Sequence, residues 1–156
     1  MTKYDWLLLA HILGAFLFLS GSIVAGILAL AAMQREKPSE VALLLRLVRP
    51  VVGVVGIGSL VALGFGIWLA EYVGYGVGKG WVVAAIGLWA ASGALAGPAG
   101  KTMRHTREFA ERLAQDGDRP SDELRLALRN PRPLVLNGTA FALLVAILVL
   151  MVWKPG

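Results

Sequence analysis

YDWLLLAHILGAFLFLSGSIVAGILALAAM, residues 4–33, is the stretch whose reading decides the fold. From Leu7 to Met33 it contains no Asp, Glu, Lys or Arg. About 20 mostly apolar helical residues cross the hydrocarbon core of a bilayer. This run is long enough to cross with tilt or to extend beyond the lipid. It exceeds the roughly 7–15-residue apolar region of a secretory signal peptide, and only Lys3 precedes it. It therefore reads as a retained membrane span, with one ionisable ring, His11, inside it.

Working outward, three further apolar runs follow, at about residues 50–73, 81–100 and 133–153, after a first span at about 6–33. The chain of 156 residues is 57% hydrophobic and 16% charged, with a mean hydropathy of +0.69. A soluble domain would carry roughly 25% charged residues. The expected fold is all-α: a single integral membrane domain over residues 1–156, built as a four-helix bundle. Between spans one and two lies a polar hinge, QREKPSE (34–40). VALLLRLVRP (41–50) then reads as an amphipathic approach to span two, its Arg46 and Arg49 sharing a face and snorkelling to the interface. Residues 101–132 form the soluble part, a cytoplasmic loop that is helical in its first half and broken by Gly-Asp-Arg-Pro at 117–120. Pro98 is expected to end or kink span three at the surface.

The net charge of +5 belongs to the loops and not to a nucleic-acid surface. Residues 34–49 carry four Lys or Arg and residues 101–132 carry eight, whereas the other side offers only Lys3, Lys79 and Lys154. The positive-inside rule then places both basic loops in the cytoplasm and both termini outside. Tyr4, Trp6, Tyr72, Tyr75, Trp81 and Trp153 fall at the outer edge, as an aromatic belt does. The absence of cysteine excludes disulfides, covalently attached haem, cysteine-ligated iron–sulfur clusters and thiol catalysis.

Small residues recur where helices would meet. Gly58, Ala62, Gly66 and Ala70 are spaced by four on span two; Ala85, Gly93 and Gly97 mark span three around Trp89; Gly14, Gly21, Ser22 and Ala25 lie on or near one stripe of span one. Such stripes let backbones approach where no hydrophobic effect drives association. Packing within the bundle is the plain reading, and a homodimer the alternative. Signatures of soluble catalysis are missing: no Walker loop, no GxSxG and no HExxH. The glycines of GVVGIGSL (53–60) lie in an apolar span without the lysine of a phosphate loop, and the carboxylates of DGDRPSDE (116–123) lack the spacing of a calcium loop.

The two histidines remain. His11 follows Trp6 by five residues, about 7–8 Å along a helix, which puts it in the outer leaflet. An intramembrane ionisable group marks a functional site by default, and a neutral imidazole is a common ligand of haem iron. Gly14, Phe18, Gly21 and Ala25 share its face, so that missing side chains beside the ring would leave room for a flat macrocycle. The plainer reading is a histidine hydrogen-bonded to a neighbouring helix or wetted near the surface. His105 lies beyond the cytoplasmic end of span three, across a hydrocarbon layer about 30 Å thick. The two histidines of one chain cannot hold one iron. Candidates for a second axial ligand at the level of His11 are Tyr72, Tyr75, Lys79 and Met151; a five-coordinate haem, or two chains each presenting His11, are the other arrangements. Copper handling is disfavoured, because Met33, Met103 and Met151 are too scattered to form one soft-ligand site.

Tyr4-x-Trp6, the histidine five residues later, the glycine-rich continuation and the Gly80-Trp81 that opens span three together resemble a family of bacterial four-helix integral membrane proteins of unknown function, over nearly the whole chain. More distantly the first helix is similar to that of the HemJ-type protoporphyrinogen oxidases and the CopD-type copper-resistance proteins. The HemJ resemblance implies a b-type haem held by the first-helix histidine, which falls on His11. That pattern also carries a lysine shortly after the Gly-Trp, where this chain has Ala84 and Ala85, so protoporphyrinogen oxidation is not carried over. The expectation is a multi-pass protein of the bacterial plasma membrane that binds haem b through His11, with Gly14 and Phe18 beside it, for electron transfer, haem handling or service in a larger membrane redox complex. The other expectation is a non-catalytic accessory subunit or small-molecule carrier with a structural His11.

Overall fold

The computed structural model describes residues 2–154. Five helices run in order: α1 (Lys3–Met33), α2 (Pro38–Tyr72), α3 (Gly80–Gln115), α4 (Asp122–Leu128) and α5 (Pro131–Trp153). Four apolar segments, ending in α1, α2, α3 and α5, are long and apolar enough to cross a membrane. Each start has a local cause. Thr2 and Asp5 form a reciprocal capping box at α1, satisfying two otherwise orphan amide groups. Pro38 and Pro131 occupy first-turn positions of α2 and α5, where a missing N–H costs nothing.

Two prolines lie inside helices. The amphipathic approach at 41–49 and span two form one helix, α2, continuous through Pro50. Of the two outcomes expected at Pro98, an end or a kink, the end does not occur: α3 runs on to Gln115. Each proline removes one ladder bond, to the carbonyl four residues earlier, and long flanking runs of intact ladder carry the helix across that single gap. The expected break at 117–120 does occur. Gly117 and Asp118 take positive φ there, 108° and 54°. A short α4 follows, capped by Ser121 Oγ accepting from the Leu124 amide.

α1 packs chiefly on α2 and α3 on α5, and α2 against α3 joins the two pairs; α1 meets α5 at few positions. The buried face is made of small residues. A Cβ on Gly14 would stand 2.5 Å from the Ala62 amide nitrogen, and one on Gly58 2.7 Å from the Phe18 amide nitrogen. These helices touch backbone to backbone, as the spacing on spans one and two predicts. Span three keeps only Ala85 of its predicted stripe. Gly93 and Gly97 have nothing within 4 Å of where a Cβ would stand, and α3 buries Val82, Ser92 and Ala99 beside Ala85. Large apolar side chains such as Ile12, Phe16, Ile57 and Leu60 point outward, the inside-out pattern of a surface meeting lipid and not water.

At the basic end the helices continue past the apolar zone into a small core of their own. Ala32, Val41, Ala42, Leu45, Ala110 and Leu124 are buried together there. Arg46 lies 3.2 Å from Glu111 across α2 and α3. The 115–122 connection is tied to α2 by Asp118, whose carboxylate accepts from the Ser39 amide at 2.7 Å and from its hydroxyl at 2.6 Å. Asp118 thereby caps α2, whose own N-cap residue, Lys37, supplies no side-chain bond.

Candidate functional site

At the opposite end Lys3 and Lys154 lie beside aromatic rings at the end of α2 and in the α2–α3 loop. The Lys3 ammonium lies over Trp68 and Tyr72, 5.4 and 5.5 Å from the ring centroids, and that of Lys154 lies 5.2 Å from Tyr75. Tyr75 in turn meets Trp81 edge to face at 5.6 Å. Beneath this belt, between the α1–α2 and α3–α5 pairs, is a narrow cleft of about 80 Å³. That is below the range of about 300–1,000 Å³ common for small-molecule and cofactor sites. Alanines and a glycine (Ala15, Ala62, Gly66, Ala70, Ala85) line part of it, and Phe18, Trp81, Trp89 and aliphatic side chains the rest.

His11 is a wall of this cleft. Its Nδ1 lies 2.8 Å from the carbonyl oxygen of Ala62 on α2. A carbonyl only accepts, so Nδ1 carries a proton and donates, which in a neutral ring leaves Nε2 with its lone pair. The Ala62 carbonyl points along α2 toward residue 66, its partner in the helix ladder. Residue 66 is glycine, and a Cβ there would stand 2.8 Å from both Nδ1 and Cε1 of His11. The missing side chain lets a ring from another helix reach a carbonyl already engaged in its own ladder. The other polar pair in the wall is closed on itself: Trp89 Nε1 donates to Ser59 Oγ at 2.7 Å, across α3 and α2.

The other predicted site residues separate. Phe18 lines the cleft with His11. Gly14 does not: the space beside it is filled by the backbone of α2 at Gly58 and Ala62, so it serves helix contact and leaves no room for a ligand. His105 lies about 30 Å further along α3 than Ala85, at about 1.5 Å per residue, and its side chain is exposed beside Glu108. The sequence did not reveal that Gly66, Ser59, Trp89 and Met151 share a wall with His11, because that depends on the register between helices. Gly66 and His11 each carried a signal, as a stripe glycine and an intramembrane histidine, with nothing to pair them.

Four apolar membrane-spanning helices around a lateral cleft define a multi-pass integral membrane protein. The chain belongs to the family described as predicted integral membrane protein (DUF2269), which matches residues 5–155. No curated protein and no solved structure matches it.

Proposed function

We propose that the protein binds a b-type haem at the cleft, which His11 would hold, and serves electron transfer or haem handling in a bacterial plasma membrane. The observation that carries this reading is the Nδ1–H bond from His11 to the Ala62 carbonyl. Histidines that bind metals generally donate their other ring nitrogen to a carbonyl, carboxylate or water, which fixes the tautomer and ring orientation and raises ligand basicity. The walls of small residues and indoles are apolar, and a porphyrin would need the two helix pairs to part, because the cleft as it stands holds only about 80 Å³. A bound haem supplies one-electron chemistry. The chain's part is to hold the iron through His11, to keep that ring in place through Ala62 and Gly66, and to present a membrane-exposed cleft to a partner in a larger redox complex.

A second reading draws on the apolar lining of the cleft: a carrier or accessory subunit that holds an apolar molecule, with His11 serving only to tie α1 to α2. The absorption spectrum of protein purified from cells supplied with excess haem separates the two. A Soret band at one haem per chain, or per pair of chains, supports the first. A colourless protein removes it and leaves the carrier.

A further inference from the structure

At the basic end three cations, on three helices, stand at one level with no carboxylate to meet them. Val82 and Trp89 share the cleft with Met151 and Leu144, so in the antiparallel α3–α5 pair Lys101 comes level with Arg132. The bond from Trp89 to Ser59 sets α3 against α2 and brings Arg49 within about 3 Å of that level, at 1.5 Å per residue. Lys101 lies about 30 Å along α3 from Trp81 of the outer belt, the thickness of the hydrocarbon layer. All three side chains are exposed. Arg35, Arg46, Arg104, Arg107 and Arg125 each lie within 3.9 Å of a carboxylate, whereas among the described residues Arg49, Lys101 and Arg132 have no such partner. The chain has no Asp or Glu between Glu40 and Glu71, between Glu71 and Glu108, or after Glu123. Their counter-charge must come from outside the protein.

We propose that this band docks an anionic phospholipid, its phosphate at Lys101 between Arg49 and Arg132 and an acyl chain along the outer face of α3. Basic residues at the cytoplasmic edge of membrane helices attract anionic headgroups. The face above Lys101 suits the chain. Gly97, Ala94, Ala90 and Gly87 follow at spacings of four and three, all exposed, and so share one side of the helix. Nothing lies within 4 Å of where a Cβ would stand on Gly87 or Gly97. Beyond Val83, α3 exposes no large apolar side chain among the described residues, whereas the other spans expose Phe16, Leu60 and Val149. A methylene chain can therefore lie directly against the α3 backbone. A second copy docked by this face about a two-fold axis normal to the membrane would instead set Lys101 against Lys101, and like charges oppose that pairing.

The test titrates full-length protein, delipidated in neutral detergent, with phosphatidylglycerol or with phosphatidylcholine of the same acyl chains, and counts bound lipid by native mass spectrometry. The parent should retain phosphatidylglycerol saturably and in preference to phosphatidylcholine. Lys101→Gln should weaken that binding about fivefold, the equivalent of about 1 kcal/mol for one cation near a membrane surface. Arg49→Gln with Arg132→Gln should weaken it further. Gly97→Leu fills the strip without changing charge and should weaken it too. Arg112→Gln removes the same charge about 16 Å further along α3 and should match the parent. Circular dichroism checks that each variant keeps its helix. Equal retention of the two lipids overturns the proposal. So does an equal loss in Arg112→Gln and Lys101→Gln, which would leave only net charge, or a Gly97→Leu variant that matches the parent, which would remove the chain from α3. Glycerol phosphate that competes as well as the whole lipid overturns it as well, because the band would then be a site for a free anion.

Discussion

The His11 ring occupies the space that a side chain at residue 66 would fill: a Cβ on Gly66 would stand 2.8 Å from ring atoms Nδ1 and Cε1. The bond from Nδ1 to the Ala62 carbonyl, 2.8 Å long, therefore depends on a glycine four residues further along α2. Because the clashing atoms end a side chain, the ring can swing away and the helices need not part. Gly66→Ala should cost about 0.5–1.5 kcal/mol for the lost bond and release the tautomer. Nitrogen NMR of His11 should show a protonated Nδ1 and bare Nε2 in the parent, and a mixture in the variant. Identical spectra would remove Gly66 from the account of the site.

Gly14 and Gly26 make a contrast on one helix. A Cβ on Gly14 meets the backbone of α2 at 2.5 Å, whereas Gly26 has nothing within 4 Å. Backbone cannot yield as a side chain can, so Gly14→Ala should separate α1 from α2 and destabilise by about 1–3 kcal/mol, as overpacking does. Gly26→Ala should be neutral or stabilising by up to about 1 kcal/mol, through helix propensity. Thermal unfolding in detergent measures both; equal melting temperatures would mean that α1 and α2 do not meet at Gly14.

How much of this was legible before folding follows from the range of each interaction. Residues 4–33 declare a span by composition alone, and the small residues of spans one and two declare a contact face, because both signals lie within one helix. Pro98 left a helix end and a kink both open, since proline reports a local penalty and the helix responds to its whole ladder. α4 is too short for a periodic signal. The bonds from His11 to Ala62 and from Asp118 to Ser39 join residues 51 and 79 positions apart, and no pattern within a segment encodes such a pairing.

The Asp118 contact should respond to acid. Accepting two bonds from Ser39, with Lys37 nearby, holds its carboxyl below the usual carboxylate range. A depressed folded-state pKa gives stability that is present above the unfolded value, about 3.9, and lost as pH falls through the folded one. Below about pH 4 the 115–122 connection should loosen from α2, and proteolysis or amide exchange there should rise. Asp118→Asn should remove the charged acceptor and most of the pH dependence in that segment. Protection that is flat across the same range in the parent would contradict this role.

Orientation follows from the basic loops. Reporter fusions at residues 34–40 and 101–132 should report cytoplasm, and fusions at 75–80 and after Trp153 should report the outside. A periplasmic signal from 101–132 would invert the topology and place the His11 cleft in the inner leaflet.

The central claim, that His11 holds a haem, is tested most directly by haem content per chain in His11→Ala and His105→Ala, each expressed with excess haem and checked by circular dichroism for retained helix. The account predicts that His11→Ala is colourless and that His105→Ala matches the pigmented parent, because His105 lies at the far end of α3. Equal pigment in His11→Ala and the parent would contradict it.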